Sequence, residues 1–370
     1  MIRTALSLPW TWLGNSRTGT ASTPARPRFL TFLVTFACNA RCRMCDSWKK
    51  SSGSDLTIEE IDRIFVQLPR MDIVRLSGGE PFLRKDLGNI AQLVALHLQP
   101  DILHITSNGF LTERIVTFCE ERDKKLPLHL LLSIDAVGQG HDEIRGVTKA
   151  WDRVMATVRH LAPRQKELGL HLSVNQTILD NAGLEHYRDL RNLLQPLAIN
   201  NQVVFAYAES ATYSIRDEFE LQPPTPGAFS PFGRYNPEEL TAFFSELEKD
   251  LSALPLLPRS AKRYYLEGLA NRLLHNRAIP NPRCVALTNH LRLYPDGRLP
   301  ICQFNSTSIG NLRISAFDEI WQSETAAAGR RWVRKCPGCW AECEILPNAL
   351  YSGDLFRRFF SSRRQGKGDR

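Results

Sequence analysis

Thr31-Phe32-Leu33-Val34-Thr35-Phe36-Ala37 runs directly into Cys38-Asn39-Ala40-Arg41-Cys42-Arg43-Met44-Cys45, an apolar stretch closed by three cysteines in a C-x3-C-x2-C spacing. The apolar part reads as a strand, and the cysteines fall in the loop that leaves it. Three thiolates can hold a four-iron four-sulfur cluster while leaving its fourth iron without a protein ligand. The same i, i+4, i+7 spacing would also fit a buried stripe on one helix face. Asn39, Arg41, Arg43 and Asp46 make the segment too polar for a core helix. Clustered thiolates favour zinc or iron-sulfur over hard metals. A tetrahedral zinc site needs a fourth ligand nearby, and the closest histidine in sequence is His97.

Outward from this loop, residues 29 to about 207 alternate short β-rich runs with amphipathic segments. The expected strands are Phe29 to Ala37, Ile73 to Leu76, Ile102 to Thr106, Leu128 to Ile134, Leu170 to Ile178 and Gln202 to Tyr207. Between the first two, Thr57-x-x-Glu60 is a capping box, followed by Ile61, Ile64, Phe65 and Leu68 at helical spacing. Segments 86–98, 111–121, 151–161 and 184–194 repeat that pattern. Six strand-helix pairs imply a parallel sheet with helices outside, and the polar motifs fall just after the strands, at the edge where barrel-type sheets build their sites. Residues 209–236 break the rhythm with Pro223, Pro224, Pro226, Gly227, Pro231 and Gly233, and read as a loop or lid. Helices are expected at 237–253 and 259–276.

Five more cysteines lie in the last quarter: Cys284, Cys302, Cys336, Cys339 and Cys343. Tyr294-Pro295-Asp296-Gly297, flanked by Leu291, Leu293, Leu299 and Ile301, reads as a hairpin that returns Cys302 toward Cys284. Cys336-Pro337-Gly338-Cys339-Trp340-Ala341-Glu342-Cys343 then forms a tight ligand knuckle, which by itself would serve zinc equally well. Cys119, in register with Ile115 and Phe118, is expected to be a core thiol.

Composition narrows the class. The chain has 370 residues, 43% hydrophobic and 23% charged, with no apolar run long enough for a membrane span and no secretory h-region. The net charge of +8 resides at the ends, with +4 in residues 1–28 and +5 in residues 357–370, so the body between them is close to neutral. A nucleic-acid partner is therefore not expected. Nine cysteines without an export signal point to a reducing, cytoplasmic compartment and to metal binding over disulfides.

Four further stretches accompany the first cysteine loop: Ser77-Gly78-Gly79-Glu80-Pro81, Thr106-Ser107-Asn108-Gly109, Ser133-Ile134-Asp135 and His141-Asp142-Glu143-Ile144-Arg145-Gly146. Taken in this order, residues 31–146 resemble the radical S-adenosylmethionine (radical SAM) enzymes. The C-x12-G-x4-C and C-x2-C-x3-C layout at the other end resembles the auxiliary-cluster domains called SPASM and, in shorter form, twitch. Met44 departs from the aromatic residue that often precedes the third cysteine in that family.

The resemblance implies an α/β fold, a partial (βα)6 TIM-like barrel with a small C-terminal β-hairpin/helix auxiliary-cluster domain. The expected boundaries are a basic tail at 1–28, the barrel at 29–207, a Pro-rich loop and linking helices at 208–283, the cluster domain at 284–350 and a basic tail at 351–370. It implies Cys38, Cys42 and Cys45 as ligands of a 4Fe-4S cluster that binds S-adenosylmethionine, with contacts to that cofactor from Gly78, Gly79, Glu80, Asn108, Ser133, Asp135 and Arg145. It further implies one auxiliary 4Fe-4S cluster on Cys284, Cys302 and Cys343 plus one of Cys336 and Cys339.

The expected activity is reductive cleavage of S-adenosylmethionine to a 5'-deoxyadenosyl radical that takes hydrogen from a substrate carbon. Oxidation, epimerisation or cross-linking would follow on a small polar metabolite such as an aminosugar or cyclitol, or on a ribosomal peptide precursor. Arg41, Arg43, Lys49 and Lys50 would dock an acidic donor such as ferredoxin or flavodoxin. Three alternatives stand beside it: a lipid-modifying enzyme in peripheral membrane contact through Trp10 and Trp12, a non-catalytic iron-sulfur or zinc scaffold, and a redox sensor. No general acid or base is legible, and Asn175, Tyr207 and Glu209 are expected to face the pocket without revealing a substrate.

Overall fold

The computed structural model describes residues 24–50, 54–206, 235–252 and 254–358. Most of both basic tails lies outside these residues, as do Tyr207, Glu209 and most of the Pro-rich stretch. Six parallel strands form where the sequence places them: β1 (Phe29–Thr35), β2 (Ile73–Gly78), β3 (Ile102–Ser107), β4 (Leu128–Ser133), β5 (Leu170–Ile178) and β6 (Asn200–Phe205). The intervening helices are α1 (Ile58–Gln67), α2 (Leu87–Leu93), α3 (Thr112–Glu121), α4 (Gln139–Arg145), α5 (Ala150–Leu161) and α6 (Asn181–Leu194). The capping box is present in full: the Thr57 hydroxyl accepts from the Glu60 N–H, and the Glu60 carboxylate accepts from the Thr57 N–H. β1 is buried along its whole length, as a strand covered on both faces must be.

Two long helices follow, α7 (Pro237–Leu251) and α8 (Leu256–His275), and then a seventh strand, β7 (His290–Leu293). Here the structure differs from the hairpin expectation. β7 pairs parallel to β1, giving the sheet order β6-β5-β4-β3-β2-β1-β7, while β8 (Arg298–Pro300) pairs antiparallel with β9 (Ser308–Asn311). The turn itself is as expected, with the Tyr294 N–H donating to the Arg298 carbonyl at 2.9 Å. The apolar residues before the turn find the unpaired edge of β1 instead of their sequence neighbour. The C-terminal segment thus gives one strand to the barrel sheet, while β8 and β9 form the small antiparallel hairpin sheet that was expected there, and α9 (Phe317–Gln322), α10 (Glu324–Lys335) and α11 (Glu342–Ser352) accompany it.

The barrel does not close between β6 and β7. That gap is walled by α8, through Ala261, Lys262 and Tyr265, and by the start of α11, through Glu342, Cys343 and Leu346. Trp340 locks the two elements together. It is fully buried, donates its indole N–H to the Tyr265 carbonyl at 3.0 Å and lies parallel to the Tyr265 ring with centroids 6.3 Å apart. Gly268 makes this possible, because a Cβ there would lie 1.9 Å from the indole. Cys119 is fully buried in the barrel core, as expected.

Candidate active site: one cavity between two thiol sets

The three N-terminal thiols face one cavity of about 510 Å³ that runs down the barrel. Their loop is fixed almost entirely by main chain. Arg41 and Arg43 donate their N–H groups to the carbonyls of Arg145 and Ile144, at 2.8 and 3.0 Å. Gly146 allows that approach: its φ is +63° and a Cβ would sit 2.6 Å from the Arg41 carbonyl oxygen. On the other side, Gly78 and Gly79 let the loop after β2 run against the chain at Thr35–Ala37, where added Cβ atoms would lie 2.2 Å from the Thr35 oxygen and 2.1 Å from the Ala37 oxygen. Both glycines also line the cavity. Asn108 completes the frame, its amide donating to Asn39 at 2.7 Å.

The two buried carboxylates among the expected site residues act at one remove. Glu80 accepts from the Asn108 N–H at 2.7 Å, the Phe82 N–H at 3.0 Å and the Ser107 hydroxyl at 2.9 Å, tying the loops after β2 and β3 together. Burial pushes its carboxyl up to about 7 despite those donors. Asp135 is ion-paired to the Arg145 Nε at 2.7 Å and accepts from the Thr177 N–H at 3.0 Å. Neither carboxylate lines the cavity, whereas Ser133, Asn108 and Arg145 do. Asp135 therefore positions Arg145, whose Nη1 lies 3.5 Å from the Cys42 sulfur. Met44 lines the same wall and packs against Ala136, Ile144, Leu179 and Ala206.

The chemistry of these thiols fits a metal cluster. All nine cysteines are free. Burial pushes Cys38 up to about 12 and Cys45 up to about 11, and each lies within electrostatic reach of Cys42. Thiols so placed stay protonated unless a cation joins them, and iron supplies that cation. Among the described residues no three His, Cys, Asp or Glu side chains converge closely enough for one metal ion; a four-iron cluster is wider, each thiolate meeting a different iron.

The second set has different neighbours. Cys339 lies within electrostatic reach of Cys284 and Cys302, and Cys284 of Cys336. Beside them Glu344 is 2% exposed and paired with Arg292 at 2.5 Å and His290 at 3.3 Å. Burial alone would raise the Glu344 carboxyl, but Arg292 and His290 hold it down at about 2. Cys343 stands apart: its sulfur lies 2.7 Å from Gln303 Oε1, and it lines the cavity.

Sequence reading missed the middle of this cavity. Arg75, His104, His129, Lys262 and Arg292 line it along with the expected Asn175. The available signal was a basic or imidazole residue two or three positions into several successive strands.

The comparisons with known proteins agree with this geometry. Residues 32–194 match the Radical SAM superfamily, and residues 284–343 match SPASM, an iron-sulfur cluster-binding domain. The chain is 25% identical over 291 residues to the GTP 3',8-cyclase of Aquifex aeolicus, spanning 76% of this chain and 83% of that protein. It is 24% identical over 332 residues to the AdoMet-dependent heme synthase of Methanosarcina barkeri, spanning 86% and 88%. In fold it is similar to Streptococcus suis SuiB, solved with S-adenosylmethionine bound, with a TM-score of 0.59, 15% identity, and coverage of 85% of this chain and 70% of that one.

Proposed function

We propose that this chain, a radical SAM enzyme with a C-terminal SPASM iron-sulfur domain, abstracts hydrogen from a carbon of a small polar metabolite inside the barrel, with net oxidation as the outcome. The observation that carries this reading is the cavity bounded by Cys38, Cys42 and Cys45 at one end and by polar strand residues further in. Its volume falls in the range of small-molecule sites. When bound, the cluster and S-adenosylmethionine supply reductive cleavage and a carbon-centred oxidant.

The chain's own groups do the rest. Cys38, Cys42 and Cys45 hold the first cluster and leave one iron for the cofactor. Gly78 and Gly79 present bare backbone to it, Ser133 and Asn108 offer polar contacts, and Arg145, kept in place by Asp135, supplies positive charge for its carboxylate. We assign the auxiliary 4Fe-4S cluster to Cys284, Cys302, Cys336 and Cys339. This differs from the expectation that included Cys343, because Cys343 faces the cavity and Gln303. An acidic electron donor of ferredoxin or flavodoxin type would meet the exposed Arg41, Arg43, Trp48 and Lys49 beside the first loop. Nine free cysteines support action in the reducing cytoplasm. Among the described residues no helix is long and apolar enough to cross a membrane.

The test is anaerobic reduction of the iron-loaded protein with S-adenosylmethionine. Methionine and 5'-deoxyadenosine appear in equal amounts if the reading holds; a fully loaded protein that forms neither sinks it in favour of a redox or structural role.

A further inference from the structure

The register of the sheet sets five residues at one level across five adjacent strands. Arg292 on β7 pairs with Thr31 on β1, Thr31 with Arg75 on β2, Arg75 with His104 on β3, and His104 with His129 on β4. All five line the cavity. The rings of His104 and His129 meet edge to face with centroids 4.8 Å apart. Burial, reinforced by the positive charge of Arg75, keeps His104 neutral; burial also lowers His129, to about 3. The two imidazoles are thus hydrogen-bonding groups, and the charge of the row comes from its arginines.

Those charges are not balanced alike. Arg292 is paired with Glu344, Lys262 with Glu342, and Arg145 with Asp135. Arg75 has no carboxylate partner among the described residues: its guanidinium lies over the Phe29 ring at 5.3 Å, and its buried Nε makes no hydrogen bond. The buried Nδ1 of His104, next in the row, is also without a partner. Arg75 is partly exposed in the cavity wall, where a guanidinium without a counter-charge makes favourable charge-assisted contacts to an anion. A fold that builds such a group into the wall of a cavity leaves a place for an anion. The row lies three residues before Gly78 on β2, about 10 Å down the strand from the cofactor loop.

We propose that this row is an oxyanion subsite. It holds a phosphoryl or carboxylate group of the substrate deep in the barrel, so that the other end of the same molecule reaches the cofactor-facing mouth. The assignment rests on the cavity being the substrate site, and it names the class of substrate that site takes. Arg75 grips the oxyanion with its planar fork, and His104 and His129 donate to the remaining oxygens.

The test is calorimetric titration of the anaerobically reconstituted full chain, without S-adenosylmethionine, using pyrophosphate, inorganic phosphate and succinate at constant ionic strength. One class binds saturably at one site per chain, pyrophosphate or phosphate if the group is phosphoryl and succinate if it is carboxylate. Arg75→Gln weakens that binding by about tenfold or more, Arg75→Lys keeps part of it, and Lys166→Gln, at an exposed residue that does not line the cavity, leaves it intact. Without anion, Arg75→Gln melts no lower than wild type, whereas a purely structural Arg75 would lower the melting temperature. Absence of saturable binding by wild type, or equal binding by Arg75→Gln, overturns the proposal. Cleavage of S-adenosylmethionine by wild type is scored separately. Cleavage without anion binding sinks the subsite alone, and anion binding without cleavage sinks the proposed activity while the subsite stands.

Discussion

The two thiol sets have the same donor atoms and opposite surroundings. The Cys38/Cys42/Cys45 loop is held by main-chain contacts to Ile144–Gly146, the Gly78–Glu80 loop packs on the Thr35–Ala37 segment that leads into it, and the three sulfurs open on the cavity. The Cys284/Cys302/Cys336/Cys339 set lies off the cavity behind the buried Glu344, Arg292 and His290. Backbone hydrogen bonds fix a loop without covering its cavity-facing side, whereas the second set lies beside a buried carboxylate with its arginine and imidazole partners. The cysteines of both sets are partly exposed, so the difference lies in access to the cavity and not in ligand type or burial.

The largest effect expected from breaking this contrast is on the open side. Replacing Cys38, Cys42 and Cys45 together by Ala abolishes formation of 5'-deoxyadenosine and removes about half of the bound iron, since each four-iron cluster accounts for one half of the total. Iron quantification on anaerobically prepared protein checks it. At the second set, Glu344→Ala removes the buried carboxylate that Arg292 pairs with and lowers unfolding stability by about 3–5 kcal/mol, measured by denaturant titration.

Smaller effects sharpen the same comparison. Gly146→Ala forces a side chain into a left-handed backbone against the Arg41 carbonyl and costs about 1–3 kcal/mol; the loss falls on iron retention by the first set, read as a faster release to a chelator. Cys343→Ser leaves the iron content unchanged, whereas Cys339→Ser lowers it. Equal losses in the two variants would return Cys343 to the ligand set.

The smallest expected effect is on pH dependence. His141 is fully buried between Phe110 and Trp151 and accepts the Asp135 N–H at 3.2 Å, and burial holds it at about 2. The unfolded chain takes up its proton near the ordinary histidine value while the fold refuses it. This contribution to stability is therefore complete above about pH 6.5 and is lost as pH falls below it, by up to about 1.4 kcal/mol per pH unit. His141→Asn, which still accepts that N–H, flattens the slope of stability against pH by one proton.

Much of this molecule was legible in the sequence because local patterns and tertiary needs coincide. The six strands and the Thr57–Glu60 capping box formed where the apolar spacing put them. The ordered motifs around Gly79, Asn108 and Arg145 meet at the first cysteine loop because each follows a strand of one parallel sheet. The role of Asp135 was less accessible, since a carboxylate two residues past Ser133 suits a cofactor contact as well as the partnership with Arg145 that it makes. β7 was assigned to a hairpin because its neighbour across the turn is close in sequence, while its true partner, β1, lies over 250 residues away. The row of Arg75, His104, His129 and Arg292 was invisible for a related reason. Each is a single polar residue in an apolar strand, and only the register brings them level.

Electron paramagnetic resonance of the chemically reduced protein, recorded before and after adding S-adenosylmethionine, tests the central claim most directly. The account predicts two cluster signals, of which the cofactor changes only the one missing from the Cys38/Cys42/Cys45→Ala variant. A cofactor that perturbs neither signal, or that perturbs the signal remaining in that variant, would contradict the assignment of a cavity-facing cluster to the first loop and one off the cavity to the second.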